Sequence, residues 1–348
     1  MTFRSSSGYR GTRSCQGDET CGRPEYLAPL FVEAGADALE VSAGALPEID
    51  GRVMPATGTP LGINSYYAEA IKRVIDVPIL SVGRVTNPMI ANDIIRRGQA
   101  DMVTMGRALL ADPELPNKAA EGRVNEIVPC IGCMLGCRAF EPRTCVVNPA
   151  VGREHTMKML PAVKPKRVFV AGGGPAGLEA ARIAAQRGHQ VTLFEKAERL
   201  GGQLNLATVA PFKQELTLAQ SFLQQQVTDL GVKVLLGTPL SIERIAAEGP
   251  DALIVATGGT TRTPRIPGVE GSTVVRILHD GAVVSRAGRE ETIQGMNFVI
   301  LATGVRPVDD LSAAAAGLVP EVHVIGDAKV PKSMLEAIAA GAEAGRRV

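Results

Sequence analysis

The sequence predicts an α/β protein in two parts joined by a cysteine-rich connector. Three observations predict it. Before residue 126, short apolar runs alternate with helical stretches of roughly ten residues, the pattern of parallel βα units. Four cysteines crowd between Cys130 and Cys145. Beyond them, a buried-strand pattern at 167–171 runs straight into a glycine-rich turn and an Ala-rich helix. A chain of 348 residues suits two or three domains, and the composition shifts put boundaries at 1–125, 126–163 and 164–348.

Composition excludes several function classes. Lys plus Arg is 37 against 36 for Asp plus Glu, a net charge of +1, which leaves no electrostatic footprint for nucleic acid or an anionic membrane. Hydrophobic residues at 45% exclude wholesale disorder. Aromatics at 3%, with no Trp, poorly suit a base-stacking platform. No apolar stretch approaches the ~18 residues that cross a bilayer, and the N-terminus lacks an apolar signal core. A soluble, cytoplasmic protein is the expectation.

In chain order, 2–6 reads as a leading strand, 23–35 as a helix stopped by Gly35, and 38–42 as a buried strand. Helices follow at 65–75 and about 88–97, strands at 77–82 and 101–105, and a further helix starts at Asp112-Pro113. These make four βα units, half of a (β/α)8 barrel. Residues 126–163 show no periodicity. In the second part, 167–171, 190–195, 252–258, 298–304 and 322–327 read as strands, with helices from 175 to about 187 and from about Ser333.

The strongest motif is Gly172-x-Gly174-Pro175-Ala176-Gly177 between a strand and a helix. The first glycine makes the turn, the second admits a pyrophosphate against the backbone, and the third lets helix and strand pack closely. Glu195 ends the next strand, where its carboxylate can accept from ribose hydroxyls. Gly201-Gly202-Gln203, the Ala-Thr-Gly strand end at Gly258, and Gly326-Asp327 follow in an order that favours FAD over NAD. The plain alternative, a glycine-rich turn without a ligand, is the weaker reading.

Cys130-x2-Cys133-x3-Cys137-x7-Cys145, interleaved with Gly132 and Gly136, can wrap one small centre. A 4Fe–4S cubane takes four thiolates, and tetrahedral zinc accepts them too. The spacing lacks the two separated C-x2-C knuckles of structural zinc, which favours the cluster over zinc or free thiols. Cys15 and Cys21 read as ordinary thiols. Gly83-Arg84 and Gly106-Arg107 end successive strands, where barrel loops bind phosphate groups; helix capping with solvated arginines is the competing account. The four histidines read as structural, and no nucleophile–base pair can be assigned.

Together these motifs resemble the 2,4-dienoyl-CoA reductase group of NADH:flavin oxidoreductases, relatives of Old Yellow Enzyme and trimethylamine dehydrogenase. The matching stretches are 81–85, 100–113, 130–133, 145–149, 170–181, 201–203 and 324–327. The resemblance implies the C-terminal half of a flavin barrel, a cluster segment and a Rossmann-like FAD domain. Electrons from NAD(P)H would pass from FAD through a 4Fe–4S cluster to FMN and on to an enoyl or enone substrate. Carried over by position, Gly83, Arg84, Gly106 and Arg107 would hold the FMN phosphate and Arg4 would lie near the flavin N1 edge. The four cysteines would ligate the cluster. Gly172, Gly174, Pro175, Ala176, Gly177, Glu195, Gly202, Gln203, Gly258, Gly326 and Asp327 would bind FAD.

The sequence departs from the family pattern in three places. The opening four βα units are absent, so a partner chain or a second copy would complete the barrel. Pro47 stands near the position of the family's barrel histidine. Roughly 40 residues separate Gly258 from Phe298, against the ~100 an inserted NAD(P)H domain requires, and 279–284 reads as a hairpin left at its edge. Two further readings therefore stand beside the enzyme: a non-catalytic FAD and cluster electron-transfer subunit, and an inactive shortened product.

Overall fold

The computed structural model describes residues 3–4, 24–43, 54–138, 142–262, 272–286, 288–295 and 304–348. The first part contains the parallel units that its periodicity requires: β1 (Phe3–Arg4), α1 (Pro24–Glu33), β2 (Leu39–Val41), α2 (Ser65–Lys72), β3 (Ile79–Val82), α3 (Pro88–Arg96) and β4 (Met102–Thr104). The strands pair in the order β1-β2-β3-β4, all parallel. Leu39, Val41, Ile79, Ala68, Ile71 and Ile94 form the core between sheet and helices. Asn87 starts α3 by accepting from the Ile90 amide at 3.0 Å, with Pro88 in the first turn, where its missing N–H costs nothing.

One helix departs from expectation. A helix α4 (Gly106–Ala111) that the sequence did not signal begins directly after β4, and the helix expected after Asp112-Pro113 follows as α5 (Leu115–Ala120). The reason is the buried Asp112 carboxylate. It accepts from the Glu114 and Val128 amides and pairs with Lys118, so it ends one helix and ties the connector to the next.

The second part is built on a five-stranded parallel sheet. Its elements are β5 (Arg167–Ala171), α6 (Pro175–Gln186), β6 (Gln190–Phe194), α7 (Leu204–Ala207), α8 (Leu216–Asp229), β7 (Lys233–Leu235), α9 (Ile242–Glu248) and β8 (Ala252–Val255). Then come β9 (Gly259–Thr261), β10 (Ser272–Ile277), β11 (Gly281–Arg286), β12 (Arg289–Gln294), β13 (Val305–Pro307), α10 (Ser312–Ala315), β14 (Glu321–Val324) and α11 (Met334–Arg347). The sheet order is β14-β8-β5-β6-β7. The two central strands, β5 and β8, are apolar on both faces because helices cover both.

Between β9 and β13, the described residues form an antiparallel meander, β10-β11-β12, whose first turn covers the expected hairpin at 279–284. No βαβ unit occurs there among the described residues. The strand expected at 298–304 lies outside them apart from Gly304, as do Pro47, Cys15 and Cys21. No helix among the described residues is long and apolar enough to cross a membrane.

α11 lies on α6 almost backbone to backbone. A Cβ on Gly341 would sit 2.4 Å from the Ala176 carbonyl oxygen, and one on Gly345 would sit 2.6 Å from that of Ala180. Gly341→Val is therefore expected to lower stability by about 1–3 kcal/mol in urea unfolding. Glu343→Ala, which removes only an exposed i,i+4 pair with Arg347, should change it by about 0.5 kcal/mol or less.

Candidate functional site

The glycine turn after β5 is a packing device before it is a binding one. Gly172 has φ +108°, and a Cβ there would meet the Ala256 carbonyl oxygen at 2.3 Å; one on Gly177 would lie 1.9 Å from the Gly172 carbonyl oxygen. Gly174 is different. A Cβ on it would meet nothing within 4 Å, so it faces open space. That space is a cavity of about 720 Å³ along the C-terminal ends of the sheet strands.

All the residues expected to hold FAD line this cavity except Gly177 and Gly326, which shape it from behind. Gly177 brings α6 against the turn. Gly326 (φ +58°) lies beneath Ala176, within 2.9 Å of where its own Cβ would be. The first turn of α6 offers free amide donors and the positive end of the helix dipole to the cavity. The Glu195 carboxylate accepts from the Gly173 amide at 2.7 Å and the Ala197 amide at 2.8 Å, holding the turn from below. Gln203 donates to Asp327 at 3.1 Å, and Asp327 also accepts from the Lys332 amide, linking two loops that are far apart in the chain.

Sequence reasoning missed part of the wall. Ser333, Met334 and Ala337 line it from the start of α11, whose Ser333/Glu336 capping box was the available signal. Lys213 and Leu216 come from the start of α8, where no motif pointed to a ligand.

Ile131, Cys133, Leu135 and Val146, from the cysteine segment, also line this cavity. Cys133 also lines a second, smaller pocket together with Cys130, Cys137 and Cys145. Four half-buried thiols thus share one pocket, though among the described residues no three His, Cys, Asp or Glu side chains are drawn together as metal ligands. Four thiols on one pocket are the donor set that a four-thiolate centre would use. A Cβ on Gly136 would overlap Thr144 at 2.2 Å, so only glycine lets the two arms of the segment meet. Burial pushes up the thiols of Cys130, Cys133 and Cys145, that of Cys145 to about 11, so ligation must displace protons.

The two Gly-Arg loops leave adjacent strands, β3 and β4, on the same side of the first sheet. Gly83 is buried beneath Asn64, whereas Gly106 is exposed with nothing over its missing Cβ. The Arg84 guanidinium is fully buried; it donates to the Thr59 carbonyl and pairs with Glu215 at the start of α8. Glu215 also accepts from the Gly58 amide at 3.0 Å. As placed, Arg84 does not fit a phosphate, because the Glu215 carboxylate already occupies it. Arg107 donates to the Pro55 carbonyl at 2.7 Å and to the Met134 sulfur at 3.1 Å. Arg4 holds its place on β1, opposite Glu40; its side chain is outside those described. Buried His189 accepts from the Lys166 amide through Nδ1, and burial lowers its pKa, in keeping with a structural role.

Residues 26–126 match the NADH:flavin oxidoreductase / NADH oxidase family, and residues 166–339 match the pyridine nucleotide-disulphide oxidoreductase family. The chain is 42% identical over 261 residues to an NADH oxidase of Thermoanaerobacter brockii, covering 73% of this chain and 40% of that protein. It is 35% identical over 301 residues to a metal reductase of Desulforamulus reducens (83% and 44%) and 39% identical over 247 residues to a cinnamate reductase of Clostridium sporogenes (70% and 37%). It therefore spans less than half the length of these curated relatives. Among solved structures, a 2-naphthoyl-CoA reductase superposes with a TM-score of 0.82 at 27% identity, over 93% of this chain and 62% of that one.

The contrast between the glycines is testable. Gly174→Val should fold with a near-native melting temperature yet fail to retain a dinucleotide, since its side chain enters the cavity. Gly177→Val should lose stability as well. Equal behaviour of the two variants in thermal melts and flavin absorbance would contradict this division of roles.

Proposed function

The chain belongs to the pyridine nucleotide-disulphide oxidoreductase family and carries ahead of that match a segment of the NADH:flavin oxidoreductase / NADH oxidase family; from that premise we propose a flavin- and iron–sulfur-dependent oxidoreductase. Gly174, Ala176, Gly177, Glu195 and their neighbours at the large cavity would hold FAD, Cys130, Cys133, Cys137 and Cys145 would hold a 4Fe–4S centre, and the loops after β3 and β4 would face FMN; such a set would supply a relay for reducing equivalents from NAD(P)H. The acceptor is a small conjugated acyl or enone compound, a class supported by the names of the cinnamate and 2-naphthoyl-CoA reductases. The flavins supply two-electron chemistry and the cluster one-electron storage, while the protein binds, orients and insulates them.

One observation carries this reading: Cys133 lines both the large cavity and the pocket that holds all four cysteines. Along that cavity each residue has its task. Gly174 admits the pyrophosphate against the backbone, and the amides of Ala176 and Gly177 donate to it. Glu195 keeps lone pairs for ribose hydroxyls. The first turn of α11 brings partial positive charge to the cavity wall. Ile131, Val146 and Leu216 add apolar wall to the cavity.

The FMN end falls to the loops after β3 and β4, where Gly106 is open; Arg84 would have to leave Glu215 to meet a phosphate. That contact favours a second reading, an FAD and cluster subunit that passes electrons to a partner.

Flavin, iron and sulfide counts on anaerobically purified protein test the proposal. About one FAD and four irons per chain are expected, with FMN for the enzyme and without it for the subunit. Cys133→Ala should lose iron and keep FAD. A folded protein that holds neither flavin nor iron, or one that holds zinc, contradicts the proposal.

A further inference from the structure

Glu215 stands at the N-cap of α8, where a side-chain oxygen ordinarily accepts from the helix's own first amides. Its carboxylate makes no such cap. Both oxygens reach into the first part of the chain instead. One accepts from the Gly58 amide at 3.0 Å, and the other pairs with the Arg84 guanidinium. Arg84 is buried, and its second prong is fixed by the Thr59 carbonyl. The turn that opens α8 closes on itself, the Leu216 amide donating to the Lys213 carbonyl at 3.0 Å and the Thr217 amide to the Gln214 carbonyl at 2.9 Å. Residues 213–217 are therefore one tight unit. Lys213 and Leu216, on either side of Glu215, line the large cavity, whereas Glu215 and Arg84 do not touch it. Backbone strain gathers at the same junction. Among the described residues three that are not glycine have positive φ, and two of them, Arg84 (φ +52°) and Phe212 (φ +59°), belong to it. Phe212 Cδ1 lies 3.2 Å from where a Cβ on Gly58 would stand. Such backbone persists only where the surrounding contacts hold it.

We propose that Glu215 is a positioning residue for the dinucleotide site: anchored by Arg84 and the Gly58 amide, it sets the turn that carries Lys213 and Leu216 onto the cavity wall. The first part of the chain thereby completes a pocket whose glycine turn lies in the second. The inference rests on the reading above that this cavity holds FAD. Loss of the carboxylate would leave a buried guanidinium without its counter-charge and the turn without its anchor. The wall would then loosen although no residue touching the cavity had changed, and FAD would be held less long.

Release of FAD from the purified full chain tests this, with the FAD left on the protein counted by chromatography after dilution and the melting temperature read on the same samples. Glu215→Gln keeps an acceptor for the Gly58 amide but loses the charge, and its FAD should leave about tenfold faster. Arg84→Met should behave alike, and the double variant should release FAD no faster than the quicker single one, because the pair acts as a unit. Arg84→Lys keeps the charge without the two-pronged reach to Thr59 and Glu215, and should fall between wild type and Arg84→Met. Wild-type release from Glu215→Gln, even with a lowered melting temperature, makes the pair a tether of the fold alone and overturns the inference. Losses that multiply in the double variant overturn it too. If Glu215→Gln or Arg84→Met does not fold, Arg84→Lys decides, and release at the wild-type rate overturns the inference. Wild-type protein that holds no FAD overturns the cavity reading itself, a result seen before any substitution is made.

Discussion

Contact between two backbones governs this molecule. Gly177 brings the start of α6 to within 1.9 Å, measured from the Cβ it lacks, of the Gly172 carbonyl oxygen, and Gly172 in turn presses on Ala256. Because helix, turn and β8 meet at that distance, the sheet ends open into a cavity instead of being filled by side chains. α11 repeats the device on the other side of α6, through Gly341 and Gly345. Close packing here creates the space.

The cavity gains chemical meaning from the segment that closes it. The described residues of 130–146 belong to neither sheet. They place Cys133 on the wall between the large cavity and the cysteine pocket, with Ile131 and Val146 as apolar flanks. The first part of the chain reaches the same segment through Arg107 on Met134 and through the Thr57 amide on the Gly132 carbonyl, and it reaches α8 through Arg84 on Glu215. Three pieces of chain thus converge on a stretch whose described residues form no helix or strand.

The readable parts of the sequence were those whose signal is local. The glycine turn, Glu195 and Gly326-Asp327 carry their geometry in adjacent residues, and all but Gly173, at the turn, and Gly177 and Gly326, which pack behind it, line one cavity. α8 was unreadable because its Gln- and Thr-rich stretch has no sharp apolar stripe, and its burial comes from packing on α6. Asp112-Pro113 leads into α5 as its sequence suggests, whereas α4, six residues long, carries no start signal of its own, and the bond from the Val128 amide to the Asp112 carboxylate that ties the connector down has no local signature. The pairing of Arg84 with Glu215, 131 residues apart, has no sequence signature at all. The arginine in a Gly-Arg loop reads as a phosphate ligand until its partner is seen.

In the proposed arrangement, a flavin dinucleotide in the large cavity and a metal centre on the four thiols meet across Cys133. Iron anomalous diffraction from crystals of the anaerobically purified protein measures this directly. The account predicts an iron peak among Cys130, Cys133, Cys137 and Cys145, and flavin density along Gly174 that approaches Cys133 more closely than any other thiol. Iron elsewhere, or flavin density that stops short of Ile131 and Val146, would contradict it.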